Sequence, residues 1–366
     1  MKLTRRRALF VLSALPAACL SACGGGGGSA EPRSTADTSS ILGSDLGPAF
    51  GLGVAPATGS GRMKAASLGE GASLNGARPF PDDNPWNQDI SQAPVDPNSQ
   101  NLINSIGLDR GLHPDFGSGL IDGQPFGIPY VVVSGQQPLV PTRWTAYGDE
   151  SDPGPYPVPS NAPVEGGLSS TGDRHVLVLD RDNDRLYEMG AATPLANGSW
   201  DAACGAVFYL DSNTVRPGGQ LTWTSADAAG LPIFPGLARW DEASRDAGIR
   251  HALRFTVART RRAFVPPATH WASSNDSADL PPMGMRVRLK ASYVIPATFS
   301  KEVRALLQAM KTYGLIVADN GSNWFISGAP HERWNNDELV NQLRQVQGKE
   351  FEVVRMDGLK TPADFP

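Results

Sequence analysis

Hydrophobic and polar residues alternate in several short runs between residues 173 and 356, and this period of two predicts β-strands. The clearest case is residues 285–290, where Met285, Val287 and Leu289 alternate with basic residues. Residues 250–257 show the same pattern, with His251 on the apolar face and Arg254 on the opposite one. We therefore predict a half-buried sheet in the second half of the chain.

Two polar turns between apolar runs predict β-hairpins. Arg-Asp-Asn-Asp separates residues 175–180 from residues 185–189, and Asp319-Asn-Gly-Ser separates residues 315–318 from residues 323–326. The turn geometry already explains the Asn-Gly pair, so we interpret Asp319 as structural.

Helical periodicity appears in two longer segments. Residues 300–313 place apolar side chains on one face, and residues 335–344 begin with an asparagine cap followed three residues later by Glu338. A shorter helix is predicted at residues 98–106, inside a Pro/Gly-rich stretch from 77 to 163 that we interpret as a wrap over the core. The predicted fold is mainly β: an antiparallel β-sandwich or barrel-like core with two short amphipathic helices and this N-terminal wrap.

The N-terminus has the three parts of an export signal. Basic residues precede a short apolar run, and Leu20-Ser-Ala-Cys23 resembles the lipobox of bacterial lipoproteins. We predict removal of residues 1–22, lipidation of Cys23 and sorting to the outer membrane. The three arginines at 5–7 fit a Sec or a twin-arginine route. Residues 23–75, rich in Gly, Ser and Ala, are predicted to be a flexible tether, and residues 76–366 a single folded domain.

Composition limits the partners. The whole chain has a formal net charge of −5, and loss of the four basic residues in the signal makes it −9. Such a chain is not expected to bind nucleic acid, and we expect membrane contact through the N-terminal lipid only. After Cys23 the sequence contains one cysteine, Cys204, in an apolar setting that predicts burial, and no spacing predicts a metal site. The sequence does not define a cofactor, and we expect a monomer.

Several motifs resemble those of a largely uncharacterised group of secreted bacterial proteins. They are Asn84-Pro-Trp-Asn, Leu112-His-Pro-Asp-Phe-Gly, Asp173-Arg-His-Val-Leu-Val-Leu-Asp, Trp223-Thr-Ser-Ala-Asp-Ala-Ala-Gly-Leu-Pro-Ile, Pro235-Gly-Leu-Ala-Arg-Trp-Asp-Glu, Ile249-Arg-His-Ala-Leu-Arg-Phe-Thr and Ala318-Asp-Asn-Gly-Ser-Asn-Trp. The resemblance covers about residues 80–356 and implies that the protein is a single folded unit and is secreted. It implies no reaction and no catalytic residue.

Candidate chemistry rests on acids beside aromatic residues. Asp227, Asp241 and Glu242 are candidate acid–base residues. Trp223 and Trp240 bracket the loop of Asp227, and Asp241 and Glu242 directly follow Trp240. A pair of carboxyl groups with different protonation states is what glycoside hydrolysis requires, and Trp faces stack on sugar rings. Core packing explains the same tryptophans equally well.

Three histidines are secondary candidates. His175, His251 and His270 lie in or beside predicted strands, and if they converge they would provide a general base or, with Asp173, a metal site. Each alone is typical of a core histidine. Arg254 is a candidate substrate contact.

The sequence favours a lipoprotein acting on extracellular polysaccharide or cell-envelope glycan, with hydrolysis ahead of elimination. The alternative is a non-catalytic carbohydrate- or surface-binding lipoprotein. Whether the chain is an enzyme stays open at this point.

Overall fold

A computed structural model describes residues 60–121, 123–214, 216 and 219–365. The predicted signal, the lipidation site Cys23 and the tether up to residue 59 lie outside the described residues. Residues 60–75, which composition assigned to the tether, pack on the folded unit and bury Met63, Ala66 and Leu74.

The described part of the chain contains more strand than helix. Its strands are β1 (Gly69–Glu70), β2 (His113–Asp115), β3 (Leu120–Ile121), β4 (Gln124–Pro125), β5 (Tyr130–Val133), β6 (Thr142–Trp144), β7 (Val176–Asp180), β8 (Arg185–Gly190), β9 (Thr193–Pro194), β10 (Trp200–Ala202), β11 (Cys204–Tyr209), β12 (Leu253–Val257), β13 (Arg286–Leu289), β14 (Leu315–Asn320), β15 (Phe325–Ser327) and β16 (Phe351–Val353). Its α-helices are α1 (Ser99–Ile106), α2 (Trp240–Ala243), α3 (Lys301–Thr312) and α4 (Asn336–Leu343).

The strands form two larger sheets and two small ones. The five-stranded sheet has the order β1-β5-β7-β8-β11, and the six-stranded sheet has the order β16-β13-β14-β12-β15-β2. The small sheets are β6-β10-β9 and β3-β4. Parallel pairs occur beside antiparallel ones in both larger sheets, so these sheets are mixed rather than antiparallel throughout, and no sheet of the described residues closes into a barrel.

Local motifs formed as expected. β7 and β8 make the predicted antiparallel hairpin. Helix α3 begins after Ser300, whose side chain accepts a hydrogen bond from the Val303 N–H, and Asn335 caps α4 through the Glu338 N–H. The caps satisfy backbone donors that have no partner inside the helix, which explains these start points.

Two predictions of arrangement were wrong. β14 and β15 do not pair with each other, because β12 lies between them, parallel to β14 and antiparallel to β15. The Pro/Gly-rich stretch also contributes strands to the sheets instead of only covering the core. β5 is a buried strand of the five-stranded sheet, and β2 is an edge strand of the six-stranded sheet. No helix among the described residues is long and apolar enough to cross a bilayer.

Candidate functional site

A row of polar side chains crosses one face of the six-stranded sheet. The antiparallel pairing of Phe255 with Ile326 places Arg254 opposite Ser327, and Ser327 in turn pairs with Asp115 of β2. Because side chains alternate along a strand, the three residues of this row share a face. The Arg254 Nη1 donates a hydrogen bond to the Ser327 Oγ at 2.8 Å.

Asp227 forms an ion pair with the buried arginine of this row. Its Oδ2 accepts from the Arg254 Nη2 at 2.7 Å, and its Oδ1 accepts from the Ala229 N–H at 2.9 Å. The Asp227 side chain is fully buried. Burial raises the pKa of Asp227, and the charge of Arg254 opposes that shift.

Asp319 is a second carboxyl group beside the same guanidinium. It lies near the end of β14, is half-buried, and its Oδ1 accepts from the Asn320 N–H at 2.6 Å. Burial raises the pKa of Asp319 to about 7, and the negative charge of Asp227 adds to the increase. One arginine therefore faces two carboxyl groups, and the more accessible of the two, Asp319, titrates near neutral pH.

His175 and Glu165 form a second charged pair. The His175 Nδ1 lies 2.6 Å from the Glu165 Oε2, and its Nε2 lies 2.9 Å from the Ala226 carbonyl oxygen. Both partners are acceptors only, so both ring nitrogens must carry protons to donate. Burial alone would lower the pKa of His175, but the charge of Glu165 and the hydrogen bond to it raise that pKa to about 9.

The partner of this histidine stays ionised. Burial would raise the pKa of Glu165, but the charge of His175, the hydrogen bonds from His175 and the charge of Arg254 together outweigh burial and hold that pKa below its ordinary value. The Glu165 side chain keeps 25% of its surface exposed, so solvent reaches the carboxylate.

Asp115 lies at the open side of the group. It is exposed, yet the surrounding protein removes enough water to raise the pKa of its carboxyl group to about 6, and the charge of Glu165 contributes. We call the following residues the Arg254 cluster: Asp115, Glu165, His175, Asp227, Arg254, Asp319 and Ser327. The cluster combines two solvent-accessible carboxyl groups of raised pKa with an accessible one of lowered pKa.

Glu188 lies behind the cluster without reaching solvent. Its carboxylate accepts hydrogen bonds from the Ile233 and Phe234 N–H groups at 2.8–3.0 Å, and none of the residue is exposed. Burial raises the pKa of Glu188 to about 7. Glu188 therefore fixes the backbone at Ile233 and Phe234, a few residues after Asp227, and cannot itself touch a substrate.

Three of the sequence-predicted residues meet in this cluster: His175, Asp227 and Arg254. His270 and Trp223 border it. The His270 Nδ1 lies 2.8 Å from the Ala228 carbonyl oxygen, and the Trp223 carbonyl oxygen accepts from the Thr269 Oγ1 at 3.2 Å. Both are half-buried beside the loop of Asp227.

The remaining candidates form a different group around α2. Glu242 accepts from the Arg239 Nη2 at 2.8 Å and lies 2.7 Å from the His251 Nε2. Asp241 accepts from the Ser73 Oγ and the Leu74 N–H at 3.0 and 2.9 Å. Trp240 stacks on His331 at 5.6 Å. These acids connect α2 to neighbouring segments and are separate from the Arg254 cluster in their contacts.

Sequence reasoning missed Asp115, Glu165 and Asp319. Asp319 was assigned to a hairpin turn, and Asp115 was noted only within the His-Pro-Asp motif. A usable signal was present at Asp319, because an acid that directly follows the apolar run 315–318 is expected near the end of a strand, where loops begin. Glu165 gives no such signal, since it lies in a loop.

No group of three or more His, Cys, Asp or Glu side chains in the described part of the chain is arranged to hold a metal ion. Cys204 is buried as expected, with its Sγ 3.2 Å from the Ser225 carbonyl oxygen.

The fold and the cluster define a mainly β protein with a solvent-accessible group of carboxyl side chains around one buried arginine. No family model, curated protein or solved structure matches the chain.

Proposed function

We propose that the Arg254 cluster is the acid–base centre of a hydrolase acting on extracellular polysaccharide. The observation that carries the proposal is the difference in protonation between two carboxyl groups that both lie in the field of the Arg254 charge: the pKa of Asp319 is about 7, whereas that of Glu165 is held below its ordinary value. Groups whose environments push their pKa values apart are suited to act as acid and base at one pH.

The roles follow from these protonation states. Protonated Asp319 donates its proton to the glycosidic oxygen as the bond to the anomeric carbon breaks. Ionised Glu165 accepts a proton from the water that adds to that carbon. His175 is a positioning residue, because it fixes the Glu165 carboxylate by a 2.6 Å hydrogen bond. Asp115 is a further exposed carboxyl group of the cluster, on its solvent-facing side.

The substrate class rests on the export signal and on aromatic residues near the cluster. We propose an exported protein, anchored at Cys23 to the outer membrane and acting as a monomer on polysaccharide or envelope glycan. We also propose that the two larger sheets form the layers of a sandwich, since one hydrophobic cluster contains side chains of both, such as Phe208 and Phe255.

The alternative is a carbohydrate-binding protein without turnover, and one observation favours it. The rings of His113 and Phe325 stack at 4.1 Å on the same face of the six-stranded sheet as Asp115, and both are half-buried. An aromatic surface of this kind suits the apolar face of a sugar ring.

A product screen separates these functions. The full chain with Cys23→Ser is incubated with bacterial, fungal and plant polysaccharides, with and without EDTA. Released reducing ends and the absorbance of unsaturated uronides are both followed. Asp319→Asn is compared with Asp276→Asn, an exposed acid in a surface ion pair with Arg262.

We expect reducing ends without unsaturated products, lowered at least about 100-fold by Asp319→Asn and unchanged by Asp276→Asn. Unsaturated products would assign elimination instead. Retention on one glycan without any product would assign the binding function. Equal activity of Asp319→Asn and the parent chain would refute the role of the cluster.

A further inference from the structure

A second charged site lies where the described chain begins. A surface groove of about 470 Å³ is lined by Arg62, Arg78 and Arg250, and Asp82 is the acid in its lining. A smaller adjoining cavity adds Arg245 together with the acids Asp241 and Glu242. The groove shares no residue with the Arg254 cluster.

Two of the three arginines are held in place by backbone carbonyl groups. The Arg78 Nη1 donates to the Arg250 carbonyl oxygen at 2.8 Å, and the Arg250 Nη2 donates to the Gly76 carbonyl oxygen at 2.9 Å. The Arg62 Nε is buried and has no hydrogen-bond partner among the described residues. Preorganised guanidinium groups lose little side-chain entropy when they bind an anion.

Asp82 shows which kind of group the arginines bind. Its side chain is 86% exposed and forms a hydrogen-bonded ion pair with the Arg78 Nη2. This hydrogen bond and the charge of Arg78 lower the pKa of Asp82, and the charges of Arg62 and Arg250 add to the effect. Three arginines therefore line one groove with an exposed carboxylate, which pairs with Arg78 and lies in the positive field of the other two.

We propose that this groove binds a phosphate group, either of a phospholipid headgroup or of a free phosphate. The planar guanidinium fork matches phosphate oxygens, and several arginines around one anion form charge-assisted hydrogen bonds. The site is local, since the chain as a whole is acidic, with a net charge of −5. A headgroup is the expected source if Cys23 is lipidated as proposed, because lipidation would keep the folded unit close to a membrane surface.

The test uses the full chain with Cys23→Ser, which removes the proposed acylation site. Co-sedimentation is measured with phosphatidylcholine vesicles and with vesicles containing about one third phosphatidylglycerol. Binding of inorganic phosphate is measured separately by calorimetry. The variants are Arg250→Gln, Asp82→Asn and, as a matched control, Arg143→Gln, an exposed arginine that pairs with Asp201 outside the groove.

We expect Arg250→Gln to weaken phosphate or vesicle binding about fivefold and Asp82→Asn to strengthen it by a similar factor, because the competing carboxylate is lost. Arg143→Gln should change neither. Binding to the anionic vesicles, competed by phosphate, assigns a headgroup, whereas binding of inorganic phosphate alone assigns a free phosphate. Absence of both, or an equal effect of Arg143→Gln, would overturn the proposal. Neither result depends on polysaccharide turnover.

Discussion

At the residue scale, the buried pair of Arg254 and Asp227 sets the properties of its neighbours. Both side chains lie at 4% exposure or less, and their ion pair is 2.7 Å long. The guanidinium also donates to Ser327 and lies beside Asp319, whose proton it makes easier to lose. The pair therefore contributes to the site by placing a fixed positive charge among carboxyl groups.

Arg254→Met tests this dependence. Loss of the guanidinium leaves the Asp227 carboxyl group buried without its partner, which we expect to lower the free energy of unfolding by about 3–5 kcal/mol. Urea denaturation measures the change. The control is Arg262→Met, which breaks the exposed pair with Asp276 and should cost at most about 1 kcal/mol. Equal costs for the two variants would contradict the burial of the pair.

At the element scale, the segment 60–75 is held on the folded unit by carboxylates rather than by strand pairing alone. Asp184, in the turn between β7 and β8, is fully buried and accepts hydrogen bonds from Ser60, Gly61, Arg62 and Met63 at 2.7–3.1 Å. Strand β1 of the segment contributes a two-residue pairing with β5. The turn aspartate is thus the main polar anchor of the segment's start.

Asp184→Asn should loosen this segment. The amide presents N–H donors to backbone N–H groups, so we expect a loss of about 2–3 kcal/mol and faster proteolysis within residues 60–75. Mass spectrometry of the fragments locates the cleavage. The control is Asp182→Asn in the same turn. The Asp182 carboxylate accepts a hydrogen bond from one backbone N–H, that of Gly135, and the substitution removes its charge. Unchanged proteolysis in Asp184→Asn would show that β1 alone holds the segment.

Elements that depend on residues close in the chain could be predicted from the sequence, whereas long-range strand pairing could not. The β7–β8 hairpin and the capped helices α3 and α4 depend on residues close in the chain, so the local pattern was sufficient. The insertion of β12 between β14 and β15 depends on long-range pairing that no local pattern reveals.

The site was only partly predictable for the same reason. Asp115 reaches Ser327 through a pairing of strands more than 200 residues apart, and this contact brings an unremarkable surface acid into the cluster. By contrast, His175 and Asp227 were recognisable as candidates from their residue type, although their partners were not.

At the scale of the whole molecule, we expect stability to depend on pH through His175. Its pKa is about 9 in the folded protein, above the ordinary value of 6.5. A raised pKa stabilises the folded state fully below pH 6.5, and the contribution is lost as pH rises through 9. A shift of this size is worth on the order of 3 kcal/mol.

The free energy of unfolding should therefore fall between pH 6.5 and 9 in the parent chain and change less in His175→Gln. Urea titrations at a series of pH values measure both slopes. His331→Gln serves as the control, since burial lowers the pKa of this half-buried histidine. Parallel slopes for the parent chain and His175→Gln would refute the ion pair with Glu165.

Asp319 and Glu165, two carboxyl groups of the Arg254 cluster, are expected to differ in protonation near neutral pH. Carbon-13 NMR titration of the side-chain carboxyl groups tests this difference directly, with Asp319→Asn and Glu165→Gln used to assign the two signals. We predict a midpoint near pH 7 for Asp319 and an ionised Glu165 throughout the range above its ordinary pKa. If Asp319 instead titrated below about pH 5, as an ordinary aspartate does, it would hold no proton near neutral pH, and its proposed role as the acid that protonates the glycosidic oxygen would be wrong.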